Sequence, residues 1–187
     1  PDYRHREALD VLPVLLKTLG IDHPVLVGHS DGGTIALIHA SQHPVAGCIV
    51  MAPHVMVEDI SVSAITTARQ AYEHGPLRQR LIPFHADVDC AFWQWNDVWL
   101  SDAFSTFDIR DELKGIQAPL LAIQGEDDPY GTMAQIDGIA QQVEGVDDGV
   151  ERAAGNEHQV AAGAIAQRVV HGDGFHLSLL RSPGWVR

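Results

Sequence analysis

Val25-Leu26-Val27-Gly28-His29-Ser30-Asp31-Gly32-Gly33-Thr34-Ile35-Ala36-Leu37-Ile38-His39-Ala40 is the stretch on which the reading of this chain turns. Three apolar residues run into Gly-x-Ser-x-Gly, and a helix-like segment follows at once. That order describes a strand entering a helix through a very tight turn with serine at its apex, a nucleophile elbow. A serine that attacks a carbonyl must stand clear of its own backbone. The turn achieves this by straining the serine's φ and ψ, and it needs small residues two positions before and two after, here Gly28 and Gly32. The helix that follows aims its amide-rich N-terminus at the site, where it would stabilise negative charge on a tetrahedral intermediate. Ser30 is therefore the candidate nucleophile, and the backbone amide of Asp31 the candidate oxyanion donor. The five-residue pattern alone recurs by chance in many proteins, so the strand and helix around it carry the weight.

Ahead of the elbow, Ala8, Val11, Leu12, Leu15, Leu16 and Leu19 recur at helical spacing and stop at Gly20, which predicts an amphipathic helix, kinked at Pro13 and closed by a glycine. Beyond the elbow helix and Pro44, the run Val45 to Ala52 reads as a buried parallel strand ended by Pro53. From about Glu58 to Phe107 the pattern changes to helical stretches rich in aromatics. A third buried strand, Leu120 to Gln124, then follows Pro119, and a helix is predicted over Thr132 to Val143. Helix and strand alternate, so an α/β fold with a partial parallel sheet is expected. The expected organisation is a core over 1–56 carrying the elbow, a helical insertion over 57–110, and core again over 111–187, its tail atypical from about 150.

Composition narrows the partners. With 187 residues, 45% of them hydrophobic, the chain buries one sizeable core. Its formal charge of −13, from 25 acidic against 12 basic side chains, argues against nucleic acid and against an anionic membrane surface. Two cysteines, Cys48 and Cys90, form no disulfide framework; each is expected as a buried thiol, which fits a reducing, cytoplasmic compartment. No apolar run is long enough to span a bilayer.

Serine chemistry needs a base and a group that orients the base. Gly125-Glu126-Asp127-Asp128-Pro129 lies just past the third strand, at the sheet edge where catalytic loops gather. Asp128 is the first choice for the orienting acid and Asp127 the second; a merely solvated acidic turn is the simpler reading of such a run anywhere else. His158, in Gly155-Asn156-Glu157-His158, is the candidate base, in a loop-like stretch after a short strand over Gly149 to Ala154. His171 and His176 are its rivals.

Strand, Gly28-His29-Ser30-Asp31-Gly32, helix, strand, aromatic insertion, strand and Gly125-Glu126-Asp127-Asp128 in that order resemble the α/β-hydrolase superfamily. The resemblance covers Tyr3 to about Glu144. It implies an α/β-hydrolase fold, a partial parallel sheet flanked by helices with a helical cap insertion, and a triad in the order serine, acid, histidine. In that superfamily the acid follows a strand-ending glycine by three positions, which favours Asp128, and the histidine closes a Gly-x-Gly-His type loop, of which Gly155 to His158 is a degraded match. Phe92-Trp93-Gln94-Trp95-Asn96-Asp97-Val98-Trp99-Leu100 together with Gln124 to Thr132 looks like small bacterial esterase-like hydrolases with a helical cap. The stretch ahead of Ser30 does not supply the strands and the oxyanion loop that the superfamily places there, so a front truncation is expected, with an unpaired apolar edge on the elbow strand through which copies could pair. The tail from about Val150, rich in Ala, Gly, Val and Arg, reads as a shifted frame in a GC-rich gene; on that reading His158 is a coincidence.

Phe92, Trp95 and Trp99 fall on one helical face, where packing within the insertion is the default. The resemblance adds that Trp95 and Trp99 would roof an apolar pocket, with His54 and Val55 on its floor and His29 beside the serine. His85-Ala86-Asp87-Val88-Asp89-Cys90 could offer metal ligands, but a polar turn is simpler, and neither metal nor cofactor is expected. The function expected is hydrolysis of an ester-like bond in a small, largely apolar substrate by Ser30, His158 and Asp128. The alternative is a catalytically incomplete hydrolase-like fragment that binds ligands or another protein.

Overall fold

The three apolar runs form strands β1 (Val25–His29), β2 (Gly47–Met51) and β3 (Leu120–Gly125), which pair in parallel in that order. A fourth strand, β4 (His158–Ala162), adds antiparallel to β3. The computed structural model describes residues 2–143 and the backbone of 158–162, 171–172 and 174–175. The last two segments pair as a short antiparallel ribbon, β5 (His171–Gly172) with β6 (Gly174–Phe175). His29 lies opposite Met51, and Met51 opposite Ile123. Ser30, Ala52 and the turn after β3 therefore share one edge of the sheet, the carboxyl edge at which ligands gather in open α/β sheets.

Helix α3 (Asp31–Gln42) crosses from β1 to β2 and buries Thr34, Ala36, Leu37, Ile38, His39 and Ala40. Its apolar side chains join Val50, Ala122, Ile109, Leu113, Ile136 and Ile139 in the main core, where each fully buried large aliphatic contributes about 1.5–3 kcal/mol. Gly28 makes the crossing possible. A Cβ there would stand 2.2 Å from the carbonyl oxygen of Gly32 and 2.6 Å from the amide nitrogen of Gly33. The strand thus touches the backbone of the helix's first turn. Gly32 is different, since a Cβ built there meets nothing within 4 Å. Of the two elbow glycines read from the sequence, only Gly28 answers a steric demand.

The N-terminal segment folds as α1 (Tyr3–Arg6), a π-helical turn (Glu7–Val11) and α2 (Leu12–Leu19), closed by Gly20 at φ 68°. Pro13 has no N–H to donate and its ring crowds the preceding turn, and the widened turn just before it absorbs both. The expected kink is a π-bulge. Ala8 is fully buried, but Val11, Leu15 and Leu19, read as part of one apolar face, are 49%, 50% and 62% exposed. Val25 and Val27 of β1 are exposed as well, so the outer strand of the sheet and α2 present apolar side chains to solvent.

Between β2 and β3 lie α4 (Asp59–His74), α5 (Leu77–Leu81) and α6 (Val88–Trp99). The segment leaves and returns at one place: Ile109 N–H donates to Val55 O and Val57 N–H to Phe107 O. The α6 face predicted from spacing packs inward, with Tyr72 stacked on Phe92 at 3.7 Å and Trp99 against Phe104 at 5.0 Å. Asp87 caps α6 by accepting from Cys90 N–H, and Asp89 takes Arg78 and Tyr72. These acids have structural partners. Cys48 is buried and its thiol pKa is pushed up to about 12 by desolvation, whereas Cys90, expected inside, is exposed at the start of α6.

Gly28→Ala and Gly32→Ala separate the two elbow glycines. Urea unfolding should show Gly28→Ala destabilised by more than about 3 kcal/mol or unable to fold, and Gly32→Ala within about 1 kcal/mol of the parent.

Candidate active site

Ser30 sits at φ 52°, ψ −121°, between the last residue of β1 and the first of α3. No L-residue adopts this conformation without strain, and it persists only when the surroundings impose it. Three contacts impose it here. Ser30 N–H donates to Met51 O at 2.9 Å, Ser30 O accepts from Thr34 N–H at 3.1 Å, and Gly28 abuts the helix. Ala52, at the end of the neighbouring strand, is also left-handed at φ 46°, with its N–H on Ile123 O at 2.7 Å. The two strained residues stand side by side on the carboxyl edge. As the first residue of α3, Asp31 has an amide that precedes the helical ladder and is free to point at developing charge.

The side chain of Asp31 is held from a direction the sequence did not suggest. Arg4 Nε donates to its Oδ1 at 3.1 Å, Arg4 Nη2 donates to the same oxygen, and Tyr3 Oη donates to Oδ2. Arg4 is fully buried, while Asp31 keeps 28% of its side chain exposed. Burial pushes the Tyr3 phenol pKa up. Two adjacent residues of the first helical turn thus grip the residue after Ser30.

His54 joins the elbow to the acid turn. Its backbone is fastened to α3: Thr34 Oγ1 donates to His54 O at 2.8 Å and accepts from His54 N–H at 3.2 Å. Its ring meets Trp99 edge-on at 4.7 Å, and Cε1 lies 3.6 Å from where a Cβ on Gly131 would stand. Desolvation lowers the His54 pKa, against the pull of Asp31 and Asp128, which both raise it. The ring is neutral, and its Nδ1 is buried with no hydrogen-bond partner among the described residues. Asp128 itself is fixed by its own turn, accepting from Tyr130 N–H at 2.8 Å and from Gln124 Nε2 at 3.1 Å. Below it, Gln135 accepts from Val55 N–H at 2.7 Å and donates to Met56 O at 3.1 Å and to Glu58, which also takes Thr132 N–H at 3.0 Å.

The structure places the residues read from sequence as follows. Ser30, Asp31 and Asp128 lie on one sheet edge, and His54 reaches both ends of it. Asp127 is exposed and Asp128 half-buried. His29 ends β1 with its side chain exposed, Trp99 is buried and Trp95 half-buried. Val55, read as pocket floor, is fully buried in the main core. His158, read as a loop residue, opens β4 opposite Gly125, because an added antiparallel strand satisfies the free edge of β3. Its backbone therefore stands at the end of β3 that leads into the Asp128 turn, while its side chain lies outside what is described. His171 belongs to β5; His176 and the strand expected over Gly149 to Ala154 lie outside the described residues. Arg4, Tyr3, Thr34, Gln135 and Glu58 were missed, and only Arg4 left a signal, as a cation on the inward side of an amphipathic pattern.

The sequence model of the Alpha/beta hydrolase family matches residues 1–186. The chain belongs to the alpha/beta hydrolase family. Solved structures share its fold at low identity: an alpha/beta fold family hydrolase from Bacillus anthracis str. Sterne superimposes with TM-score 0.57 at 17% identity, covering 76% of this chain and 64% of that one. A carboxylesterase structure from Nitrososphaera gargenis gives TM-score 0.53 at 20% identity over 74% and 59%, and proline iminopeptidase from Mycobacterium smegmatis 0.50 at 16% over 72% and 59%. The chain spans about three-fifths of the length of these hydrolases. No curated protein sequence matches it. Among the described residues, no helix is long and apolar enough to cross a membrane.

The neutral, buried His54 sets a pH dependence. Its folded pKa lies below the usual 6.5, so below that pH the unfolded chain binds more protons and stability falls as pH drops. His39, whose pKa desolvation lowers against the opposing hydrogen bond to Ala8 O, acts with the same sign. Urea midpoints measured from pH 8 to pH 5 should decline below about pH 6.5, and the slope should flatten in His54→Gln.

Proposed function

We propose that this alpha/beta hydrolase cleaves an ester-like bond of a small, largely apolar substrate through a serine triad of Ser30, His158 and Asp128. The observation that carries the proposal is the Ser30 backbone at φ 52°, a strained conformation at the strand-to-helix turn that suits a nucleophile held away from its own chain. His158 takes the Ser30 proton as Oγ attacks the carbonyl carbon, and the Asp31 N–H receives the oxyanion. The imidazolium then protonates the leaving alcohol. Water, deprotonated by the same histidine, releases the acid and restores the serine. Asp128 orients the imidazole. The segment 57–110 acts as a cap whose Trp95 and Trp99 roof the acyl pocket, with His54 and Val55 on its floor and His29 beside the serine. Nearby Asp31, Glu58 and Asp128 argue for an uncharged acyl group, since an anion would meet their field.

A second reading is favoured by the exposed Val25 and Val27 on β1: a ligand- or protein-binding domain that pairs through this sheet edge, as a homo-oligomer or with another chain. A fluorophosphonate decides between them, because it adds covalently only to a serine activated by an assembled base. Intact and peptide masses should place one adduct on Ser30, absent in Ser30→Ala and slowed at least about a hundred-fold in His158→Ala. Folded protein that takes no adduct overturns the hydrolase reading and leaves the binding domain.

A further inference from the structure

Arg4 is the largest fully buried side chain among the described residues, and the proposed mechanism makes no use of it. Its guanidinium lies 4.5 Å from the ring centroid of Phe104, 5.0 Å from Phe107 and 5.1 Å from Trp99. All three rings belong to the segment between β2 and β3. Phe104 and Phe107 stack on each other at 4.7 Å, and Trp99 carries the contact on to His54. Two of the guanidinium nitrogens donate to Asp31, whereas Nη1 is buried with no hydrogen-bond partner among the described residues. A planar cation can satisfy both neighbours at once, through its edge to a carboxylate and through its faces to aromatic rings. Lysine cannot do so with one ammonium.

The placement matters because Asp31 supplies the oxyanion amide in the reading given above. An uncompensated carboxylate one residue from the nucleophile would repel the negative charge that develops on the tetrahedral intermediate. Its position at the start of α3 also makes any shift of its side chain a shift of the amide. We propose that Arg4 is a positioning residue for the hydrolytic reaction: it neutralises Asp31 beside the oxyanion amide and ties the aromatic cap to the elbow, so that cap and nucleophile are held as one unit. This inference rests on the hydrolase reading for its rate effect, but the cap-to-elbow tie stands apart from it.

The test uses the full chain as wild type, Arg4→Met, Arg4→Lys, Asp31→Asn and the double variant Arg4→Met/Asp31→Asn, the last removing both charges of the pair so that a folded protein is retained. Two quantities are read: the rate constant for phosphonylation of Ser30 by a neutral fluorophosphonate, and hydrogen exchange of peptides covering 31–37 and 99–107. Arg4→Met should slow phosphonylation at least about ten-fold and speed exchange in both peptides; Arg4→Lys should fall between it and wild type. Adding Asp31→Asn should return the rate to within about three-fold of wild type, a rescue that loss of packing alone would not give. The proposal is overturned if Arg4→Met labels at the wild-type rate, if the double variant labels no faster than Arg4→Met, or if exchange rises only around residues 3–11. Should wild type itself take no label, the hydrolase reading fails, and the two exchange peptides still decide whether Arg4 ties them together.

Discussion

A serine can be held at φ 52° between a strand and a helix only because Gly28 lets the two backbones touch. The contact is steric, and the rest of the site is arranged around it. Once β1 is pressed against the first turn of α3, the serine projects from the carboxyl edge and Asp31 becomes the first residue of the helix. The sheet then holds the strain. Ser30 hands its amide to Met51 and Ala52 hands its own to Ile123, so each strained residue hangs from a carbonyl of the next strand. Such strain costs about 1–3 kcal/mol per residue, and the core under α3, with Leu37, Ile38 and Val50 fully buried, offsets it.

Charge is handled in two ways around this elbow. His54 is buried and gives up its charge: desolvation outweighs the pull of Asp31 and Asp128, and the neutral ring packs against Trp99 as an aromatic. Arg4 cannot give up its charge at any ordinary pH. It is tolerated in the interior only because a carboxylate meets its edge and rings surround its faces. A buried ion pair is weak evidence for stability, since desolvation consumes most of the attraction. Asp31 retains 28% exposure, which lightens that cost, and the geometry points to positional definition as what the pair supplies.

The elbow, the three parallel strands and the acid turn were legible in the sequence because each is written in neighbouring residues: apolar runs, a Gly-x-Ser-x-Gly turn, an acidic loop behind a strand. The grip on Asp31 was not, since Arg4 is 27 positions away and the inward side on which the pattern puts that cation does not name the carboxylate it meets. Gln135, which meets Val55 across 80 positions, was hidden for the same reason. Gly32 misled because a motif glycine looks the same whether the space beside it is full or empty. The apolar spacing of Val11, Leu15 and Leu19 predicted a buried face, and spacing alone cannot report what stands opposite. His158 was read as loop because glycine and asparagine precede it; pairing with β3 is a long-range contact that no local signal contains.

The strand order also explains why His54 stands where it does. With β2 between β1 and β3, Ser30 and the Asp128 turn are separated by a full strand, and whatever follows β2 must fill the gap between them. Ala52 turns the chain with a positive φ, Pro53 is buried, and His54 arrives fastened to α3 through Thr34. A small residue there would leave a void beneath Trp99, and a charged one would be desolvated without a partner. An imidazole has the volume of a core residue and stays uncharged when buried, while its ring remains within electrostatic reach of both carboxylates. The interior position between elbow and acid is thus one that histidine fills at lower cost than lysine, arginine or a carboxylate could.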